Sequence, residues 1–303
     1  MRAVVTGGAG FIGSNLVDSL NSMGLELIVV DDLSTGSKAN IPKEVRLIEA
    51  NVADRDLWES LESTDYLFHL AALTSVVESQ ENPILCEKSN VHAVIHLLDY
   101  ARKKNVKKII FASSAAIYGD SSNVQSESDL PVPKSPYGLS KLVGEHLLHM
   151  NYLEHSIPYV AFRMFNVFGP RQSTTSSYAS VIPIFMDRIL KDRSLVIHGD
   201  GKQTRDFVYV EQVVNFYLQA MMGSMTGIFN LGSGVSREIL ELANIIMKIR
   251  GHENSRLGFE DGRPGDIKHS RADVTKLQSN FSWDETNFTK ALLNTYAYYE
   301  NTR

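Results

Sequence analysis

The first half of the chain alternates short apolar, β-branched runs with amphipathic stretches. Runs at Ala3–Thr6, Leu27–Val30, Arg46–Glu49, Tyr66–Leu70, Ile109–Ala112 and Tyr159–Met164 predict strands. Helical spacing occurs between them, near Phe11–Met23, Leu57–Glu62, Val91–Lys104 and Pro136–Tyr152. Strands alternating with helices imply a parallel sheet covered on both faces, an α/β doubly wound, Rossmann-like unit over residues 1–165. After Gly169-Pro170 the pattern is more broken. "RQSTTSS" reads as a loop, "LVIHG", "RDFVYV" and "GIFNLG" as strands, and Ile239–Ile249 as a helix. Residues 166–303 therefore read as a smaller mixed α/β domain that binds substrate. Within 206–232 the chain is expected to recross to the main sheet, near Phe207–Val210.

Composition narrows the class. The chain has 303 residues, 43% hydrophobic and 21% charged, which suits a soluble globular protein of one large or two joined domains. A formal net charge of −5 argues against nucleic acid or an anionic membrane as partner. Cys86 is the single cysteine, so neither an intrachain disulfide nor a thiolate metal cluster can form. The start, "MRAVVTGG", lacks a signal peptide's basic and apolar regions, and no apolar run reaches the ~20 residues of a membrane span. A cytoplasmic location is expected. The His92/His96 and His146/His149 pairs have helical spacing but no third ligand nearby, so no metal is expected.

"VVTGGAGFIGSNLVDSL" puts Gly7, Gly10 and Gly13 directly after a strand and into a helix. Glycine serves where a turn is tight, where backbone nears a pyrophosphate and where helix meets strand; the helix N-terminus then offers N–H groups to the anion. Asp31 ends the second strand, 24 positions after Gly7, where a carboxylate can accept ribose hydroxyls and repel a 2′-phosphate. This is the pattern of a dinucleotide site that prefers NAD. Asn51 and Val52, past the third strand, are placed to meet adenine, and small Ala71 and Ala72 to let a cofactor pass. His69 reads as a buried, hydrogen-bonded histidine.

"SPYGLSK" combines a Ser135 N-cap, Pro136 at the first helical position, and Tyr137 and Lys141 four apart on one face. Alone that spacing is common by chance. Upstream, "IIFASSAAIYG" brings Ser113 and Ser114 to a strand end, which in an open parallel sheet faces the ligand crevice. A phenol with a reference pKa of about 10 is a weak base at neutral pH, but a nearby ammonium and a cationic nicotinamide ring would favour phenolate.

"TGGAGFIGS", "HLAA", "SSAAIYG", "SPYGLSK", "FRMFNVFGPRQ" and "GKQTRDFVYV", in that order, resemble the extended short-chain dehydrogenase/reductases that act on nucleotide-diphosphate sugars. The resemblance spans nearly the whole chain. It implies a catalytic Ser114–Tyr137–Lys141 triad; Ser114 is chosen over Ser113 because it stands four residues before Tyr118. It implies a cofactor set that takes in Phe11, Ile12, Asp32, Leu70 and Asn90 beside the residues above. For a nucleotide sugar it implies Asn166, Arg205 and Arg263 at the diphosphate, Asp266 at the ribose, Val181 and His198 at the base, and Ser270 at the sugar.

Dehydratases of this family carry an Asp-Glu pair directly after the catalytic hydroxyl; here stand Ala115 and Ala116. A reductase using NADPH should lack Asp31 or offset it with arginine. The resemblance therefore implies a 4-epimerase working on a UDP-hexose, with uronate decarboxylation as the alternative and a non-enzymatic NAD sensor as the remote one. A small Ser270 would admit an N-acetylated sugar. Asn51 stands where relatives usually have aspartate, and Thr74 where some hexose epimerases have lysine. Val91, Val94, Ile95 and Leu98 are either core or half of a homodimeric four-helix bundle, as is common in the family.

Overall fold

In the computed structural model, residues 1–120, 124–174, 180–249, 257–262 and 268–302 are described. Arg263, Asp266 and the Thr175–Ser177 part of the expected loop lie outside them. The strands are β1 (Arg2–Thr6), β2 (Glu26–Asp31), β3 (Arg46–Glu49), β4 (Tyr66–His69), β5 (Lys108–Ser114) and β6 (Tyr159–Met164), then β7 (Asn166–Phe168), β8 (Leu195–His198), β9 (Thr204–Tyr209), β10 (Gly227–Leu231), β11 (Ser236–Glu238) and β12 (Leu257–Glu260). The helices are α1 (Phe11–Ser22), α2 (Arg55–Ser60), α3 (Val76–Glu81), α4 (Pro83–Glu87), α5 (Ala93–Lys103) and α6 (Pro136–His155), followed by α7 (Val181–Leu190), α8 (Val210–Met222), α9 (Ile239–Lys248), α10 (Thr275–Asn280) and α11 (Phe288–Asn301). A single π-helical turn, Lys88–His92, joins α4 to α5.

Seven strands form one parallel sheet in the order β10-β6-β5-β4-β1-β2-β3. Side chains alternate across a strand, and here both destinations are apolar. Ala3, Val5, Leu27, Val29, Ile110, Val160 and Phe162 pack under α1 and α8. Val4, Ile28, Val30, Ile109, Phe111, Tyr159 and Ala161 pack under α2, α5 and α6. That explains why the strands read as apolar runs. All six strands expected in the first half are present. α3 and α4 went unpredicted: they are single-turn pieces interrupted by Pro83, too short for a helical period to register.

Two small sheets, β11-β9-β7 and β12-β8, surround a separate core with α7, α9 and α11. Phe207–Tyr209 lie in β9 of the small sheet, not in the main one; it is β10 that joins the main sheet, alongside β6. Val94 and Leu98 are intrachain core, 1% and 7% exposed, whereas Ile95 faces outward. Among the described residues no helix is long and apolar enough to cross a membrane, and no cluster of three or more His, Cys, Asp or Glu is arranged to hold a metal.

Candidate active site

The β1–α1 turn is built for close approach. Gly7 has φ +69°, and a Cβ there would fall 2.6 Å from the Ala71 nitrogen. A Cβ on Gly13 would fall 2.1 Å from the Gly7 carbonyl oxygen. Gly10 caps α1 with no side-chain bond, and the first turn, which begins Phe11-Ile12, has no acidic residue, so nothing there repels an anion. Asp31, buried at the end of β2, accepts from the Ala9 and Leu33 N–H groups, 2.9 Å each. Burial and the neighbouring Asp32 push its carboxyl up, against those two donors. A carboxylate has about four acceptor positions, so two remain for ribose hydroxyls. These features fit NAD.

The residues expected to meet adenine bond to one another. Asp32 accepts from Ser34 and from the Asn51 amide nitrogen at 3.2 Å. The Asn51 side-chain oxygen already accepts the Ala53 N–H at 2.9 Å, so one of its two lone pairs is committed. Val52 is buried and its carbonyl accepts from Trp58.

At the end of β4, Leu70 and Ala71 donate to the Thr6 carbonyl and hydroxyl, holding Leu70–Ala72 against the glycine turn. His69 is 1% exposed, bonded to the Thr6 hydroxyl at 2.7 Å and stacked on Phe111. Burial drives its pKa down to about 3, so it is neutral in the working range and structural, as its sequence context suggested.

Ser114 ends β5 and caps the 3-10 turn Ala115–Ile117, accepting the Ala116 N–H at 3.1 Å. The start of α6 packs onto that turn because residue 138 is glycine: a Cβ would lie 2.6 Å from the Ala116 oxygen. Gly144 likewise brings α6 onto Phe111, where a Cβ would lie 2.7 Å from the ring. Two missing side chains thus bring the helix close to the strand, and the Ser114 side chain acts on the Tyr137 phenol. Lys141, one turn on, is 3% exposed, its Nζ 5.1 Å from the Phe111 centroid and 5.8 Å from that of Tyr137. Burial lowers its pKa to about 8. For Tyr137, burial raises the phenol and the Ser114 bond pulls it back. Within the protein alone burial wins, contrary to the lowering expected from the lysine.

Further along the same helix face, Glu145 forms a buried pair with Arg163 at 2.8 Å and accepts from Ser113. Arg163 also donates to Tyr118, which donates to Asn230 of β10. Behind Tyr137, the Asn90 amide pairs with both peptide groups of Leu73, at 2.8 and 3.0 Å, and donates to Ser140. Asn90 lies within the π turn, a local widening frequent at functional positions.

Asn166, Val181, His198 and Arg205 come together: all four line one cavity of about 360 Å³. Ser114 pairs in register with Met164, two residues before Asn166, so this wall continues the carboxyl edge of the sheet beside Ser114. Gln203, Arg188 and Ser180 also line the cavity. Of these, "GKQTRDF" carried the signal for Gln203, while nothing in the sequence marked Arg188. Ser270 is 7% exposed and is not among the lining residues.

The sequence profile of the NAD dependent epimerase/dehydratase family matches residues 3–232. The chain belongs to this family. A putative UDP-glucose 4-epimerase from Methanocaldococcus jannaschii is 39% identical to this epimerase/dehydratase family member over 280 residues, 91% of either chain. The UDP-N-acetylglucosamine 4-epimerase of Methanobrevibacter ruminantium, solved with UDP-N-acetylmuramic acid, superposes with TM-score 0.96 at 38% identity, covering 100% of this chain and 99% of its own. Thermotoga maritima UDP-glucose 4-epimerase, solved with UDP-glucose, gives 0.96 at 36%, with the same coverage. NAD is the cofactor of the family, and the Thermus thermophilus UDP-glucose 4-epimerase structure is a complex with it (TM-score 0.91, 31% identity, 100% of both chains). Family relatives also include a UDP-N-acetyl-α-D-glucosaminuronate decarboxylase from Bacillus cytotoxicus, 32% identical over 94% of each chain. This family member is thus an NAD-dependent enzyme that modifies nucleotide sugars.

Proposed function

We propose that the chain is a UDP-hexose 4-epimerase acting on UDP-glucose and UDP-galactose and, through a small Ser270, on their N-acetylated counterparts. One observation carries this reading. The Ser114–Tyr137–Lys141 corner lies where β6, paired with Ser114, runs on into β7 and the Asn166–Arg205 cavity, and the residues after Ser114 are alanines. Bound NAD supplies a hydride acceptor that can return the hydride.

The chain's own part is the proton and the grip. Ser114 holds the C4 oxygen, and Tyr137 takes its proton and gives it back. Lys141, as an ammonium, favours the phenolate. Ala115 and Ala116 offer no acid or base for elimination. Asn166, Arg205 and, outside the described residues, Arg263 and Asp266 hold the nucleotide, leaving the sugar free to turn between the two transfers. Val181 and His198 flank the base. The 38% identity to a UDP-N-acetylglucosamine 4-epimerase supports the wider substrate range.

The test is separate incubation with UDP-glucose, UDP-N-acetylglucosamine and UDP-glucuronate, with products resolved by chromatography. C4 epimers from the first two are expected; carbon dioxide from the third, with no epimers, would replace this reading by decarboxylation. Ser270→Tyr should abolish turnover of the acetylated pair and spare UDP-glucose; equal loss on both would remove Ser270 as the selector.

For the assembly we propose a homodimer through α5 and α6, whose outward faces carry exposed Ile95, Leu139, Met150 and Leu153. Leu153→Glu with Met150→Glu should convert it to a monomer in light scattering; an unchanged mass would refute that interface.

A further inference from the structure

The first turn of α6 has more N–H donors than its own cap can satisfy. Four N–H groups at a helix start lack intrahelical partners. Pro136 has none to offer, and Leu139 already bonds back to the Ser135 carbonyl at 2.9 Å. Gly138 is taken by the Ser135 hydroxyl at 3.1 Å. The Tyr137 N–H remains, and the Ser79 hydroxyl from α3 accepts it at 3.2 Å. Ser79 is 0% exposed and its own proton goes to the Val76 carbonyl at 2.6 Å, so the oxygen is turned toward Tyr137 as an acceptor. The other end of the residue is held too. The Tyr137 carbonyl accepts from Ser140 at 2.8 Å, and Ser140 accepts from Asn90, which grips the Leu73 peptide.

Both holds lead to one stretch of chain. Leu73 and Ser79 flank the α3 start, which Ser75 caps, and the stretch begins at Leu70–Ala72 beside the glycine turn. Tyr137 is therefore clipped, through its backbone N–H and C=O, to the segment that borders the cofactor cleft. From this double clip we infer that Ser79 is a positioning residue for the proton-transfer step, setting the reach of the Tyr137 hydroxyl to Ser114 from behind. This inference rests on the proposed roles of Tyr137 and Ser114. It adds a residue 58 positions away that has no part in the triad.

Removing the hydroxyl leaves the Tyr137 N–H buried without a partner, and the turn is free to shift. A displacement of this kind weakens the influence of the Ser114 side chain, which offsets part of the rise that burial imposes on the Tyr137 phenol. The experiment uses full-length Ser79→Ala with UDP-glucose. The expected result is a kcat reduced about tenfold with KM within about twofold, and the limb of the kcat–pH profile that reports phenolate moved to higher pH. Ser79→Thr, which keeps the hydroxyl, should recover kcat to within about threefold. An unchanged kcat, or losses in kcat, KM and Tm together with the pH limb in place, would overturn the assignment. The phenol midpoint is also read without turnover, as the ultraviolet titration difference between each protein and its Tyr137→Phe derivative. Ser79→Ala should raise that midpoint, and an unmoved midpoint overturns the inference. If the unaltered protein epimerises none of the UDP-sugars, the proposed function fails, and this titration still decides the role of Ser79.

Discussion

The α6–β5 corner and the cavity beside β7 belong to one proposed site, yet they are held in opposite ways. In the corner, Lys141, Glu145 and Arg163 are each at most 3% exposed, side chains from α6, β5 and β6 bond one another, and Ser79 of α3 accepts the Tyr137 N–H. The cavity's polar wall residues, Asn166, Arg188, His198, Gln203 and Arg205, are half-buried, and Arg205 and His198 sit on separate sheets. One is a packed interior, where a displacement is costly. The other is a more open wall, where on the proposed reading a lost contact weakens binding and leaves the chemistry in place.

That contrast can be broken by substitution. The largest effect is expected from Tyr137→Phe, which should fold and retain NAD yet lose about 10³-fold in kcat, since a positioned acid–base group contributes roughly 10²–10⁴. Near-normal turnover would refute its role. Next, Glu145→Ala strips the partner from buried Arg163 and should cost about 3–5 kcal/mol in urea unfolding, because an uncompensated charge is left inside. A loss under about 1 kcal/mol would show that the pair is not a mainstay of the corner.

His69 gives the corner a pH signature. Its folded pKa near 3 lies below the unfolded value of about 6.5. Between those values the unfolded chain binds the extra proton, so stability falls as pH drops from 6.5 towards 3, by about 1.4 kcal/mol per unit. Urea midpoints at pH 6.5 and 5.5, compared with those of His69→Asn, isolate this contribution; equal slopes would eliminate it. The cavity should respond more mildly. Arg205→Ala should raise KM about 10- to 100-fold, the worth of a charged hydrogen bond, with kcat within about threefold. A kcat loss matching that of Tyr137→Phe would erase the distinction between the two regions.

The same division governs what the sequence revealed. Tyr137, Lys141 and Glu145 follow one another at helical spacing, so their common face is written in the chain. The central strands were legible because both faces are buried and their runs are mostly apolar, whereas edge strand β3, Arg46–Glu49, is apolar only at its two middle positions. Ser79 was not legible, since no local period links it to a tyrosine in another helix. Neither was the destination of Val94 and Leu98: apolar helix positions look alike whether they meet their own sheet or a second subunit. In the smaller sheets, motif resemblance singled out Asn166, Val181, His198 and Arg205, which one cavity unites. Arg188, a surface-type charge in an apolar helix, needed the fold to be noticed.

β10 has a bearing on biosynthesis. The last strand of the main sheet arrives some 60 residues after its neighbour β6 and brings Phe229 against Phe162 and Phe281, and Asn230 against Tyr118. Until it emerges from the ribosome, β6 is a bare edge with an apolar flank, the kind of surface that recruits other nascent chains. A fragment ended at residue 165, where sequence reading would draw a boundary, would keep that edge permanently. Expression yields should therefore step upward once a truncation series passes Leu231.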